Sequence, residues 1–92
     1  MEYDKDKVDD ATLALLYLVS WKMKKGFPWS AWKSFDWDTM DRLHQKGLIS
    51  NPKGKAKSIV FSDEGYERAE RLFREMFEGE TKSREQENGG DA

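Results

Sequence analysis

Residues 36–65 read DWDTMDRLHQKGLISNPKGKAKSIVFSDEG, and the order of signals in them decides the fold. Asp36 carries the short carboxylate of a helix N-cap, and Asp38 adds negative charge at the same positive helix end. Trp37, Met40 and Leu43 or His44 recur at helical spacing and mark an inward face. Asp38, Thr39, Asp41, Arg42, Gln45 and Lys46 fall on the outward one. Gly47 supplies the left-handed residue that ends such a helix. Leu48, Ile49 and Ser50 then form a short strand, and Asn51-Pro52-Lys53-Gly54 carries turn residues. Ser58-Ile59-Val60-Phe61 returns as a second strand, β-branched at its centre. Ser62 caps a further helix, with Asp63 and Glu64 in its first turn. The segment predicts a helix over 36–46, hairpin strands over 48–50 and 58–61, and a helix from 63.

Downstream, Tyr66, Ala69, Leu72, Phe73, Met76 and Phe77 form the cleanest amphipathic stripe in the chain. The opposite face carries Glu67–Arg71 and Glu70–Arg74 pairs at i, i+4, each contributing about a few tenths of a kcal/mol. Gly79 ends this helix, expected over 63–78. Residues 80–92, ETKSREQENGGDA, have no apolar side chain larger than Ala and are expected to be a disordered polar tail. One domain over 1–79 precedes it.

Upstream, the pattern is helical over 7–24. Asp9 and Asp10 suit its positive end, and Lys22, Lys24 and Lys25 its negative end. Apolar residues fill nearly its whole circumference, as in a central helix covered on more than one side. Gly26 ends it. In GFPWSAWKSF, residues 26–35, Pro28 sits well at a first helical turn, and Trp29, Trp32 and Phe35 recur at one helical face. A short helix over 28–34 is the expectation. Its aromatics have three readings: core packing, a patch for a protein partner, or a stacking surface for single-stranded nucleic acid.

A chain of 92 residues is one small domain, and its four Trp, three Tyr and five Phe supply large buried areas. The absence of Cys excludes disulfides, thiolate catalysis and zinc–thiolate sites. No apolar run approaches the ~20 residues of a membrane span, and no targeting pattern opens the chain. A cytoplasmic location without membrane contact is the expectation.

The net charge of −2 hides a strong asymmetry. Residues 1–21 hold two Lys against five acids, residues 22–57 nine Lys/Arg against three Asp, and residues 58–92 five Lys/Arg against ten acids. A basic middle between acidic flanks suits a polyanion, although an unevenly charged solvated surface has the same composition. Lys53, Lys55 and Lys57 alternate along the chain, and in an extended segment period two would put all three on one side.

From Asp41 onward the chain resembles the wing half of winged-helix regulators of the multiple-antibiotic-resistance and phenolic-acid types. The matching residues are Asp41-Arg42-Leu43, Lys46-Gly47-Leu48-Ile49, the basic stretch 53–57, and Phe61-Ser62-Asp63-Glu64-Gly65. The whole chain is also similar to a small bacterial family of uncharacterised single-domain proteins sharing DWD, LHxKG and GKAKS runs. The first resemblance implies a mainly α, winged helix-turn-helix-like fold. It also implies a recognition helix over 36–46 in a DNA major groove, with wing lysines on flanking phosphates. The three aspartates of that helix work against phosphate proximity, so little base reading is expected of it.

Double-stranded DNA is accordingly the expected partner. Lys53, Lys55 and Lys57 would be assisted by Lys22, Lys24, Lys25, Lys33, Arg42 and Lys46. The alternative is a protein-interaction module or homodimer using the apolar first and last helices and the Trp-rich segment, through Trp29, Trp32, Phe73 and Phe77. No catalytic or metal site is expected. There is no phosphate-cradling glycine loop, and the only histidine, His44, has just Asp41 at i−3 as a candidate co-ligand. No cofactor is expected.

Overall fold

The computed structural model describes residues 1–79, so the tail expected over 80–92 lies outside the described residues. Helix α1 spans Lys5–Leu18, α2 spans Trp37–Gln45 and α3 spans Asp63–Phe77; strands β1 (Trp21–Lys22), β2 (Trp29–Trp32) and β3 (Ser58–Val60) lie between them. The chain is mainly α with a small antiparallel sheet, as its sequence indicates. Each helix opens on a side-chain cap. Asp4 accepts from the Lys7 N–H, Asp36 from that of Thr39, and Ser62 from that of Gly65, each satisfying an otherwise unpaired donor.

The first helix and the segment expected as a second helix both differ from expectation. Helix α1 stops at Leu18 instead of running to 24. Its end is closed when the Val19 N–H bonds back to the Leu15 carbonyl at 3.3 Å and the Ser20 N–H and hydroxyl both donate to the Tyr17 carbonyl, the hydroxyl at 2.7 Å. Gly26, with φ +92°, therefore lies in the connection between β1 and β2 and not at a helix end. Residues 28–34, expected as a helix, contain β2. A short helix there would satisfy only its own few backbone groups, whereas β2 finds ladders on both sides. It pairs antiparallel with β1 (Trp21 opposite Ser30) and with β3 (Ala31 opposite Ile59). Helix α2 thus follows a strand rather than a companion helix.

The strand at 48–50 reduces to one antiparallel bridge between Ile49 and Phe61, beside a Ser50 N–H to Val60 carbonyl bond of 2.9 Å. Strand alternation gives the sheet two unlike faces. Ala31, Ile59 and Phe61 are buried and join Leu13, Leu16, Met40, Leu43, Leu48, Ile49 and Ala69 in the core. Each of the fully buried Leu residues contributes about 1.5–3 kcal/mol by leaving water. Trp29 faces the same way and stacks on Tyr66, with ring centroids 4.9 Å apart and planes 8° from parallel. Tyr66 also meets Tyr17 at 5.4 Å and Phe61 edge-on at 5.5 Å, so one aromatic cluster joins α1, the sheet and α3.

The start of α3 rests directly on the chain after α2. The Ser62 N–H and hydroxyl both donate to this turn, the hydroxyl to the Gly47 carbonyl at 2.7 Å and the N–H to that of Leu48 at 3.0 Å. Gly65 is in the next turn, and a Cβ built on it would collide with the Leu48 backbone. Backbone cannot rotate aside as a side chain can. Gly65→Ala is therefore expected to cost at least about 3 kcal/mol in chemical denaturation. Gly54→Ala, whose new Cβ would meet only the Asn51 carbonyl oxygen at 3.6 Å, should change stability by no more than about 0.5 kcal/mol.

Candidate nucleic-acid interface

Helix α2 turns a polar side toward α1, not toward solvent. Asp9 is 0% exposed and takes the Arg42 Nε–H at 2.9 Å, the Arg42 Nη2 at 2.8 Å and the Lys46 ammonium at 2.9 Å. Arg42 also donates to the Thr39 hydroxyl at 3.1 Å, and that hydroxyl donates to the Asp36 cap at 3.0 Å. Lys46 reaches Asp6 as well, at 3.1 Å. Burial by itself pushes the Asp9 carboxyl up. The hydrogen bonds and charges of Lys46 and Arg42 together outweigh it and hold the carboxyl below its ordinary value. The Asp9 hydrogen bond in turn raises both Arg42 and Lys46 against the opposing effect of burial. Arg42 and Lys46 are thus occupied within the fold rather than standing free on an outward helix face. Trp37, expected inward, is 61% exposed, while Thr39, expected outward, is buried.

The other predicted cations sit elsewhere. Lys53, Lys55 and Lys57 are exposed in the irregular loop between the Ile49 bridge and β3. Because the loop is not extended, period-two alternation does not set their directions. Its base is fixed nonetheless. Pro52 is fully buried, the Asn51 carboxamide oxygen accepts from the Lys53 N–H at 2.9 Å, and the Lys33 ammonium donates to the Gly54 carbonyl at 2.8 Å. Lys33 therefore organises the loop that carries the three lysines. Lys24 and Lys25 are exposed in the β1–β2 connection, with the Lys24 ammonium 5.2 Å from the Phe27 ring centre. Lys22 lies 5.8 Å over the Trp29 ring. Beside Lys53, Trp37, Asp38 and Asp41 line a shallow depression, so carboxylates border the loop on the α2 side.

The aromatic residues are divided by the strand. Trp29 belongs to the inner cluster. Trp32 stands on the outer sheet face, 55% exposed, packed on Trp21 at 4.8 Å between ring centres. Phe73 is half-buried against Tyr17 at 5.5 Å and Phe77 at 5.3 Å. His44 donates through Nδ1 to the Ile49 carbonyl at 3.0 Å, since a carbonyl can only accept. It fastens the chain that leaves α2. Among the described residues no group of three or more His, Cys, Asp or Glu side chains could hold a metal ion, and no helix is long and apolar enough to cross a membrane.

A protein-family profile described as a domain of unknown function, DUF6429, matches residues 4–79. The chain belongs to this family. A relative, the uncharacterized protein y4hR of Sinorhizobium fredii (strain NBRC 101917 / NGR234), is 53% identical over 77 residues, covering 84% of this chain and 97% of that protein. No solved structure matches. The bacterial family resemblance read from the DWD, LHxKG and GKAKS runs is the one that these comparisons support. The DUF6429 match ends at residue 79, where the described residues also end.

The Asp9 cluster of this DUF6429 chain was missed by reading Asp9 only as a charge at a helix end. Its signal is present: Asp9, Thr12, Leu13 and Leu16 share one helical stripe, and Arg42 and Lys46 are spaced i, i+4. Asp9→Asn should cost about 2–3 kcal/mol at pH 7, because Arg42 and Lys46 keep partial solvent access. Replacing Arg42 and Lys46 together by Met strands a buried carboxylate and should cost more, about 3–5 kcal/mol. A carboxyl held low stabilises fully above its ordinary value of 3.8, and that contribution is lost as pH falls through the lower folded value. Denaturation at about pH 7 and about pH 3 should therefore show a smaller acid loss for Asp9→Asn than for the parent.

Proposed function

We propose that the protein is a binding module, not an enzyme, that holds nucleic acid through the lysine loop with little base specificity. The observation that carries this reading is the placement of Lys53, Lys55 and Lys57 on one exposed loop whose base is pinned by Lys33 and Asn51. An anchored loop presents charge without first having to be ordered, and phosphates reward that charge by releasing counterions. The succession of α2, the Ile49–Phe61 bridge, the basic loop and α3 also follows the order of the winged-helix wing. In that arrangement the loop would meet backbone phosphates, which duplex and single strands both carry. Base reading by α2 is disfavoured on two counts. Its cations Arg42 and Lys46 bind Asp9, and its exposed end offers Asp38 and Asp41.

The salt dependence of binding tests this reading. With Arg42, Lys46 and Lys33 occupied within the fold, the three loop lysines and about one neighbouring lysine would meet phosphates, and the log–log salt slope on a mixed duplex should be about −3 to −4. Replacing Lys53, Lys55 and Lys57 together by Ala should bring it near −1 or abolish binding. An unchanged slope in that variant, measured by fluorescence anisotropy, would remove the loop from the interface.

A second reading rests on the ends of the outer helices, where Leu18 is 60% and Phe77 47% exposed, with Val19 and Met76 also exposed. Such apolar groups suit a symmetric pair of chains. Phe77→Glu should then halve the mass found by light scattering at about 0.1 mM. A parent chain that is monomeric at that concentration excludes the pair.

A further inference from the structure

The outer face of the sheet is the least explained surface of the molecule. Direct pairing puts Ser30 opposite Trp21 on one side and opposite Val60 on the other, and Trp32 opposite Ser58. All of these side chains project away from the Ala31–Ile59 face that packs into the core. The result is a shallow apolar floor of Trp21, Trp32 and Val60. Trp32 and Val60 are exposed and Trp21 is half-buried. The hydroxyls of Ser30 and Ser58 make no side-chain hydrogen bond among the described residues.

This floor runs directly into the lysine loop. Ser58, opposite Trp32, follows Lys57 in sequence, and the Lys33 N–H donates to the Lys57 carbonyl at 3.1 Å. The exposed indole therefore lies within two residues, along either strand, of the segment that bears the free lysines. A surface with an aromatic ring at one end and cations continuing from it matches a nucleotide, which has a flat base on one side and a phosphate on the other. Bases within a duplex are stacked on each other and cannot lie flat on an indole. Only an unpaired strand offers its faces.

Resting on the nucleic-acid reading above, we infer that the ligand of this outer face is single-stranded RNA. One base stacks on Trp32, the pair with Trp21 holding the ring in place, and the following phosphates run along Lys53, Lys55 and Lys57. Ser30 and Ser58 flank Trp32 with free hydroxyls that can donate to or accept from a ribose 2′-hydroxyl, which DNA lacks. Stacking uses a π-face common to all bases, so little sequence preference accompanies it.

The test compares three fluorescein-labelled probes of about 20 nucleotides, an oligouridylate, an oligothymidylate and a mixed DNA duplex, by anisotropy with the full chain at about 50 mM salt. Oligouridylate should bind at least about tenfold more tightly than duplex and also more tightly than oligothymidylate, quenching tryptophan emission on binding. Trp32→Ala should weaken oligouridylate binding at least about fivefold, the effect of losing one stacked base, while Trp32→Phe restores most of it. Because Trp32 is exposed, circular dichroism of both variants should match the parent. Ser30→Ala with Ser58→Ala should narrow the margin over oligothymidylate.

Tighter duplex binding, or a Trp32→Ala variant that binds oligouridylate like the parent, overturns this inference and leaves the lysine-loop reading standing. Equal or tighter oligothymidylate binding overturns the assignment to RNA. Failure of all three probes to bind overturns both readings. Light scattering that finds a dimer dissolved by Trp32→Ala would make the face a contact between copies, which also overturns the inference.

Discussion

The carboxylate of Asp9 is the point on which the helical half of the molecule depends. It has no access to water, and a lone charge in that position would be strongly disfavoured. Arg42 and Lys46, one turn apart on α2, supply the compensation, so α2 cannot rotate or slide on α1 without exposing the carboxylate to an apolar environment. Apolar contacts between helices tolerate small shifts, whereas a three-group ion cluster with fixed hydrogen bonds has one register. Thr39 extends the cluster to the Asp36 cap, which ties the docking of α2 to the place where α2 begins.

That arrangement changes what the charges of the chain can do. Two of the nine cations in the basic middle are internal counterions, and a third, Lys33, is a strut for the loop at 51–57. The charge asymmetry of the sequence is real, but its accessible portion is smaller and more localised than composition suggests. It is concentrated on the loop and on the β1–β2 connection. The cations of α2 are spent inward, and the part of it beside Lys53 is acidic, with Asp38 and Asp41.

The sheet decides how the aromatic residues are used. Trp29 and Trp32 are three residues apart, a spacing that places both on one side of a helix and on opposite sides of a strand. In β2 one closes the core against Tyr66 and the other opens outward against Trp21. Both kinds of use, core and surface, arise from a single four-residue strand. The partner strands that create this division come from residues about 10 and about 30 positions away, which local periodicity does not register.

Local signals in the sequence determined the elements that cap themselves. Asp36 and Ser62 as caps, Gly47 at φ +78°, the stripe of α3 and the returning strand at 58–60 all rest on chemistry within a few residues. The mainly α character, with a small antiparallel sheet and a lysine-bearing loop, follows from them. Tertiary structure alone decided the rest: the end of α1 at Leu18, β2 in place of a helix, the burial of Asp9 and the inward use of Arg42 and Lys46. Each of these depends on a partner far along the chain. A backbone that is neutral between helix and strand takes the state in which distant hydrogen-bonding groups complete it, and a charge goes inside only where another part of the fold delivers its counterion.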